Sequence, residues 1–218
     1  MKTKSNAHRG IAAVLALAAV AGIANLNAQD DPAALREKAA ALEKRLEELE
    51  NKDKPDRKLE RQREENQTKA RNRAAEDSRH YKPDELAEIE ALYQVANKNW
   101  RTDEAKTSLK KLLDKFDKSN RTGCATLYMG QMSEGKERID YLTRAVEKFS
   151  DCYYLDGCQV GGYGRYVLAL TLWESGEKEK ARALLGELKT KFKDATDHKG
   201  RPMTGLVEAA EKAFAAKP

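Results

Sequence analysis

Three segments of the chain close on the same dipeptide: Lys115-Phe116, Lys148-Phe149 and Lys191-Phe192. One pattern precedes each phenylalanine. Eleven residues before it stand Ala105, Arg138 and Ala181, seven before it Leu109, Leu142 and Leu185, and four before it Leu112, Ala145 and Leu188. These offsets put small and apolar side chains on one face of a helix. A helix that is apolar on one face must bury that face, and a pattern repeated along the chain lets neighbouring copies do so for one another. The phenylalanines are 33 and then 43 residues apart, enough for two helices and their turns per copy. The expectation is an all-α fold built as a short helical-hairpin solenoid.

The third segment reads Leu168-Ala169, Leu172, Gly176, Ala181, Leu185, Leu188. It resembles the tetratricopeptide-repeat (TPR) family, whose helix-turn-helix unit has a period of about 34 residues. In that pattern Ala169 is the small residue where two helices cross, and Leu172 stands in the usual aromatic slot. Gly176 ends the first helix, where a left-handed residue costs Gly little, and Ala181 is the small residue early in the second. The earlier copies depart from the pattern, with Tyr93 at the small position, Trp100 at the turn Gly, and Arg138 in place of Ala. The expected pairs are 84–98 with 103–116, 121–132 with 135–149, and 162–174 with 177–192, with Thr102 as an N-cap. Residues 203–215 read as a capping helix, so the TPR-like domain spans 84–215, with an insertion at 151–164. The resemblance implies that the first helix of each pair lines a concave groove. Carried over by position, that groove is Gln94, Asn97 and Lys98, then Leu127 and Gln131, then Tyr163, Tyr166 and Trp173. Tyr and Trp are frequent binding hot spots, although Tyr166 and Trp173 could equally pack on the capping helix.

The N-terminal part has a different composition. Lys2, Lys4 and Arg9 precede an uncharged run of 13 residues, Ile11 to Ile23, followed by small residues. This is the layout of a secretory signal over 1–28, cleaved after Ala24 or Ala28. The run is shorter than the roughly 20 residues a spanning helix needs, so no stable membrane insertion is expected after cleavage, and the protein is expected to be periplasmic or secreted. The whole chain carries 41 Lys+Arg against 36 Asp+Glu, and without the signal the balance is 38 against 36. That near-neutrality gives no reason to expect a nucleic-acid partner. Leu35, Ala39, Leu42, Leu46 and Leu49 are spaced four, three, four and three, an oligomerisation seam on a short coiled-coil-like helix over 29–51. A homo-oligomer through residues 33–50 and a single solvated helix are both compatible with so short a seam. Residues 52–73 hold nine Lys/Arg and five Asp/Glu, so 52–83 reads as a charged linker, helical in part, with no core to fold onto. Together these parts give an extended charged helical or coiled-coil arm ahead of the solenoid.

The insertion carries Cys152 and Cys158 among four glycines. In an oxidising compartment two cysteines closing a short loop read as a disulfide, while Cys124 is either buried or a competing partner. No C-x-x-C spacing supports zinc, no Walker-type glycine loop is present, and no serine or histidine motif of hydrolases occurs. The sequence thus names no catalytic residue, no metal and no cofactor. The order of parts is similar to periplasmic coiled-coil-plus-repeat proteins that coordinate cell division and the envelope. That layout implies a non-enzymatic scaffold binding peptide or helical segments of other envelope proteins. The alternative is a structural envelope protein acting mainly through its arm.

Overall fold

In a computed structural model of the chain, residues 37–38, 40–46 and 56–216 are described. They fall into two units divided after Pro55. The signal of 1–28, Leu35, Leu49 and the start of the charged segment lie outside the described residues. In the first unit residues 40–46 are helical, and Leu42 and Leu46 are exposed. Among the described residues no helix is long and apolar enough to cross a membrane.

The second unit is all-α. It opens with α1 (Arg57–Glu76) and a short 3-10 turn (Asp77–Arg79). Three pairs follow: α2 (Pro83–Lys98) with α3 (Asp103–Lys115), α4 (Asn120–Met132) with α5 (Gly135–Lys148), and α6 (Val160–Glu174) with α7 (Lys178–Lys191). Helix α8 (Met203–Ala216) ends the array. From α2 onward each helix packs on the next, and the first helices α2, α4, α6 and α8 also touch in series. The expected pairs are therefore present with boundaries shifted by a few residues at most. Their physical basis is the face read from sequence. Ala105, Leu109, Leu112, Leu142, Ala145, Ala181, Leu185 and Leu188 are all buried, as are Phe116 and Phe149. Arg138, at the position Ala takes in the other copies, leaves its Nε buried without a hydrogen-bond partner. The ends also follow local rules. Thr102 caps α3 by accepting from the Ala105 N–H at 3.1 Å, which satisfies one of the donors a helix start leaves open. Gly176 adopts φ +88° after α6, and the Glu177 N–H reaches back to the Leu172 carbonyl at 2.8 Å.

The expected insertion is a turn that occurs twice. After Phe149, the Cys152 N–H donates to the Phe149 carbonyl, Tyr154 N–H to Cys158, Gly157 N–H to Tyr154, and Val160 N–H to Cys152. After Phe192 the same four bonds recur 43 residues on: Ala195 to Phe192, Asp197 to Arg201, Gly200 to Asp197, and Met203 to Ala195. Each turn carries one antiparallel bridge, Tyr153 with Gln159 and Thr196 with Pro202. The longer spacing of the second and third phenylalanines is thus the length of this turn. Gly161, Gly162 and Gly164, at the end of the expected insertion over 151–164, lie buried in α6. A Cβ at Gly161 would stand 2.5 Å from the Ser150 carbonyl oxygen, so the glycine lets α6 start against the preceding turn.

The expected charged linker is corrected most. Residues 57–76 form a continuous helix that docks on the array through one stripe, Arg63, Asn66, Ala70 and Arg73. Asn66 and Ala70 are buried. Arg63 Nε donates to the Gly200 carbonyl at 2.8 Å, and Asn66 Nδ2 donates to that of Asp194 at 3.0 Å. Arg73 reaches both the Lys118 carbonyl at 3.1 Å and the Asp151 carboxylate at 2.8 Å. Helix α1 therefore crosses the junction after each of the three pairs. Gly157 and Gly200, equivalent in the two turns, make this approach possible. Their φ values are +91° and +69°, and added Cβ atoms would stand 3.1 Å from Asn66 Cβ and 2.5 Å from Arg63 Nε. The helical array thus begins at residue 56.

Candidate functional site: the face of the first helices

The face formed by the first helices is marked by a row of rings. Tyr93 on α2 stacks on Tyr128 of α4 at 5.8 Å, and Trp100, just past α2, stacks on the same ring at 6.5 Å. Tyr154, carried in by the first turn, meets Tyr128 at 5.5 Å. His198, carried by the second turn, sits edge-on to Tyr154 at 4.6 Å and to Tyr163 of α6 at 4.9 Å. Tyr93, Tyr128 and Tyr163 are 35 residues apart in succession, one from each first helix. That spacing was visible in the sequence, and it marks a row that alignment on the Lys-Phe endings passes over.

A polar string runs beside the row. Asn97 Nδ2 donates to Gln94 Oε1 at 3.2 Å, and Gln94 Nε2 to Glu90 Oε1 at 2.6 Å. Glu90 accepts two bonds from Arg121 of α4, at 2.7 and 2.9 Å, and the Arg121 guanidinium lies 4.2 Å over the Tyr93 ring. Partial burial pushes the Glu90 carboxyl up, but the hydrogen bonds from Arg121 and Gln94 outweigh it and hold it below its ordinary value. Glu90 and Arg121 were not singled out from sequence, where a Glu and an Arg 31 residues apart look like any other surface charges.

The groove positions carried over from the resemblance separate into groups. Gln94 and Asn97 join the polar string, and Lys98 is exposed at its end. Gln131 and Tyr166 are partly exposed, and Tyr163 is half-covered by His198. Leu127 is a correction. It is fully buried, because α4 is the middle first helix and is packed on both flanks. Trp173 takes the alternative role of packing on the capping helix. Its ring lies flat on Phe214 of α8 at 3.9 Å, and Lys178 and Arg182 stand over it at 5.3 and 5.1 Å. It fastens the capping helix and, like Tyr166, is partly exposed.

The expected Cys152–Cys158 disulfide is also corrected: all three cysteines are free and buried. The turn's register explains this. The bridge between Tyr153 and Gln159 places Cys152 opposite Val160 and Cys158 opposite Tyr154. The two cysteines are then diagonal neighbours, typically about 7 Å apart, whereas a disulfide needs Cβ atoms about 4 Å apart. Cys152 instead fills the space left by Gly123, its Cβ and Sγ 2.6 Å from where a Gly123 Cβ would stand. Burial pushes the Cys152 thiol up to about 12, and those of Cys124 and Cys158 well above the ordinary value. Only the thiolate is an effective nucleophile. At about pH 8 the folded protein is therefore expected to leave all three thiols unreacted with a disulfide reagent, and to release the full complement after denaturation. Rapid reaction of any thiol in the native state would contradict this packing.

His198 Nδ1 lies 2.8 Å from Asp156 Oδ2, a contact that ties the second turn to the first. A neighbouring cleft of 370 Å³ is lined by Arg73, Glu76, His80, Asp117, Lys118, Lys148 and Asp151. Its mixed charges give no single-sign field. Among the described residues no three His, Cys, Asp or Glu side chains group as metal ligands would. No family model, curated protein or solved structure matches the chain.

Proposed function

We propose that the chain is an exported, non-enzymatic scaffold with a TPR-like array, which binds a peptide or helical segment of another envelope protein on the face of its first helices. The observation that carries the reading is the pairing of partly open rings, Trp100, Tyr128 and Tyr166, with the polar string Asn97–Gln94–Glu90–Arg121. Aromatic anchors beside fixed donors and acceptors are what a peptide-binding face requires. The leader pattern of residues 1–28 and the array-like order of helices favour the exported repeat scaffold. The His198–Asp156 pair supports a packing role over chemistry, since its ring lies between Tyr154 and Tyr163. The exposed Leu42 and Leu46 favour a second activity, through the arm.

The test is crosslinked capture from the native envelope with wild-type chain and with Trp100→Ala and Asn97→Ala/Gln94→Ala variants. The variants are expected to keep the helical circular-dichroism signal. Each is expected to lose a specific partner by about tenfold or more, the effect of removing a hot spot. A partner captured equally by all three proteins would remove this face from the binding function.

A further inference from the structure

The exposed helix of the first unit carries more information than its leucines. Aligning the seam so that Ala39 and Leu46 take the a positions puts Leu35, Leu42 and Leu49 at d. The flanking g positions are then Asp31, Lys38 and Arg45, and the flanking e positions are Arg36, Glu43 and Glu50. In a parallel pair each g residue faces the e residue five places on in the other strand. The facing pairs are then Asp31 with Arg36, Lys38 with Glu43, and Arg45 with Glu50. Each one joins opposite charges. In an antiparallel pair g faces g and e faces e, and the register that sets Lys38 against Arg45 sets Arg36 against Glu43, so repulsion at g is met by attraction at e.

The described residues fit this use. Lys38, Leu42, Glu43, Arg45 and Leu46 are all helical and exposed, with Leu42 66% and Leu46 61% open to solvent. Two leucines four apart on a helix surrounded by charge form an apolar strip that is costly to leave wet, at about 1.5–3 kcal/mol for each side chain. The strip ends where Asp53 and Pro55 would break it, and Asp56 begins α1 by capping it, accepting from the Lys58 and Leu59 N–H groups at 3.0 and 3.3 Å.

We propose that residues 33–50 pair with a second copy of this chain as a parallel, in-register, two-stranded coiled coil, with its orientation selected by the g-to-e charge pairs. Leucine at every d position suits two strands, and the charge pattern favours the parallel arrangement, in which every facing pair attracts, over an antiparallel one in which attraction and repulsion offset. Both chains leave the seam at the same end, so the dimer presents two copies of the array together. A partner with two binding segments would then be held by avidity, because its second contact is intramolecular. The pairing is independent of what the first-helix face binds, and its test reads mass, not partner capture.

The experiment is light scattering on the full chain after signal removal, at roughly 100 µM, since assembly follows concentration. The wild type is expected at twice the chain mass. The Lys38→Glu/Arg45→Glu variant is expected at the single-chain mass, as is Glu43→Lys/Glu50→Lys, because each turns two of the three facing pairs into like charges. Their equimolar mixture is expected to return to the doubled mass. Ala39→Cys, oxidised, is expected to crosslink as a dimer through the same residue of each strand. A monomeric wild type, a trimer, charge-reversed variants that keep the doubled mass, or an Ala39→Cys chain that does not crosslink would each overturn the proposal. Circular dichroism of every variant separates loss of pairing from loss of the array, whose helices dominate that signal.

Discussion

Tyr154→Ala is expected to lower the stability of the array by about 3–5 kcal/mol, the usual range for removing a buried ring. For a unit of this size that corresponds to a fall in melting temperature on the order of 10 °C. The side chain is 4% exposed, and it is the point at which the first turn enters the row of rings. It touches Tyr128 on one side and His198 on the other, while its hydroxyl donates to the Cys124 carbonyl at 3.1 Å. Without it the turn loses its hold on α4, and His198 loses one of the two rings that position it. Tyr154→Phe separates the contributions. It keeps the ring and removes one hydrogen bond, a loss of about 1 kcal/mol. Thermal denaturation of both variants checks the assignment. Equal losses in the two would place the effect in the hydroxyl and contradict the packing role.

How much of this was legible in the sequence depends on whether the contact is apolar. The hairpin pairs bury Leu109, Leu142 and Leu185 on faces with helical period, and that period is visible without a structure. The cap at Thr102 and the stop at Gly176 are local and were visible too. Helix α1 was not. Its docking stripe, Arg63, Asn66, Ala70 and Arg73, has helical spacing, but three of its four members are polar and bond to carbonyls or carboxylates 45 to 137 residues away. A reading based on hydrophobic periodicity takes such a segment for a linker. The second turn was missed for another reason. Its backbone bonds repeat those of the first, yet almost none of its side chains do: Cys152, Tyr154 and Cys158 correspond to Ala195, Asp197 and Arg201. What the two share is the phenylalanine that precedes them, the aspartate two residues after it (Asp151 and Asp194) and a glycine with positive φ. In the candidate site, the burial of Leu127 and the seating of Trp173 on Phe214 have a common origin. Groove positions transfer from a regular array, whereas here α4 is packed on both flanks and α8 lies over the end of α6. The polar members Gln94 and Asn97 lie in the hydrogen-bonded string that ends on Glu90 and Arg121.

The other large effect is expected at Asp77, at the hinge between α1 and the first pair. This carboxylate is 4% exposed and accepts from the Asn120 N–H with both oxygens, at 3.0 and 2.9 Å. Arg73 Nη1 meets it at 2.8 Å. One side chain therefore satisfies a donor at the start of α4, where the helix dipole favours a negative charge, and holds the arginine that joins α1 to the Lys118 and Asp151 junctions. Asp77→Ala leaves a buried N–H without its acceptor and takes one of three acceptors from the Arg73 guanidinium, a loss of about 3 kcal/mol, or roughly 6–12 °C in melting temperature. The pH dependence distinguishes this role from a simple surface charge. Burial pushes the Asp77 carboxyl above its ordinary value against the pull of Asn120 and Arg73. A carboxyl raised on folding favours the folded state at low pH and loses that advantage as pH rises, so Asp77 is not a source of acid unfolding. That comes from groups held low. The hydrogen bond from Arg165 lowers Glu187. At Glu90 and Asp197 burial acts upward and is outweighed, by Arg121 with Gln94 in one case and by Arg201 with the Lys199 N–H in the other. Their contribution is present above the ordinary carboxylate range and is lost as pH falls through it. The Asp77→Ala protein is accordingly expected to be less stable at neutral pH while keeping its acid-side decline, measured by denaturant titration between about pH 3 and 7. Loss of that decline would mean that Asp77 itself is a carboxylate held low, and the hinge would then be an ion pair dominated by Arg73 and not a buried cap on α4.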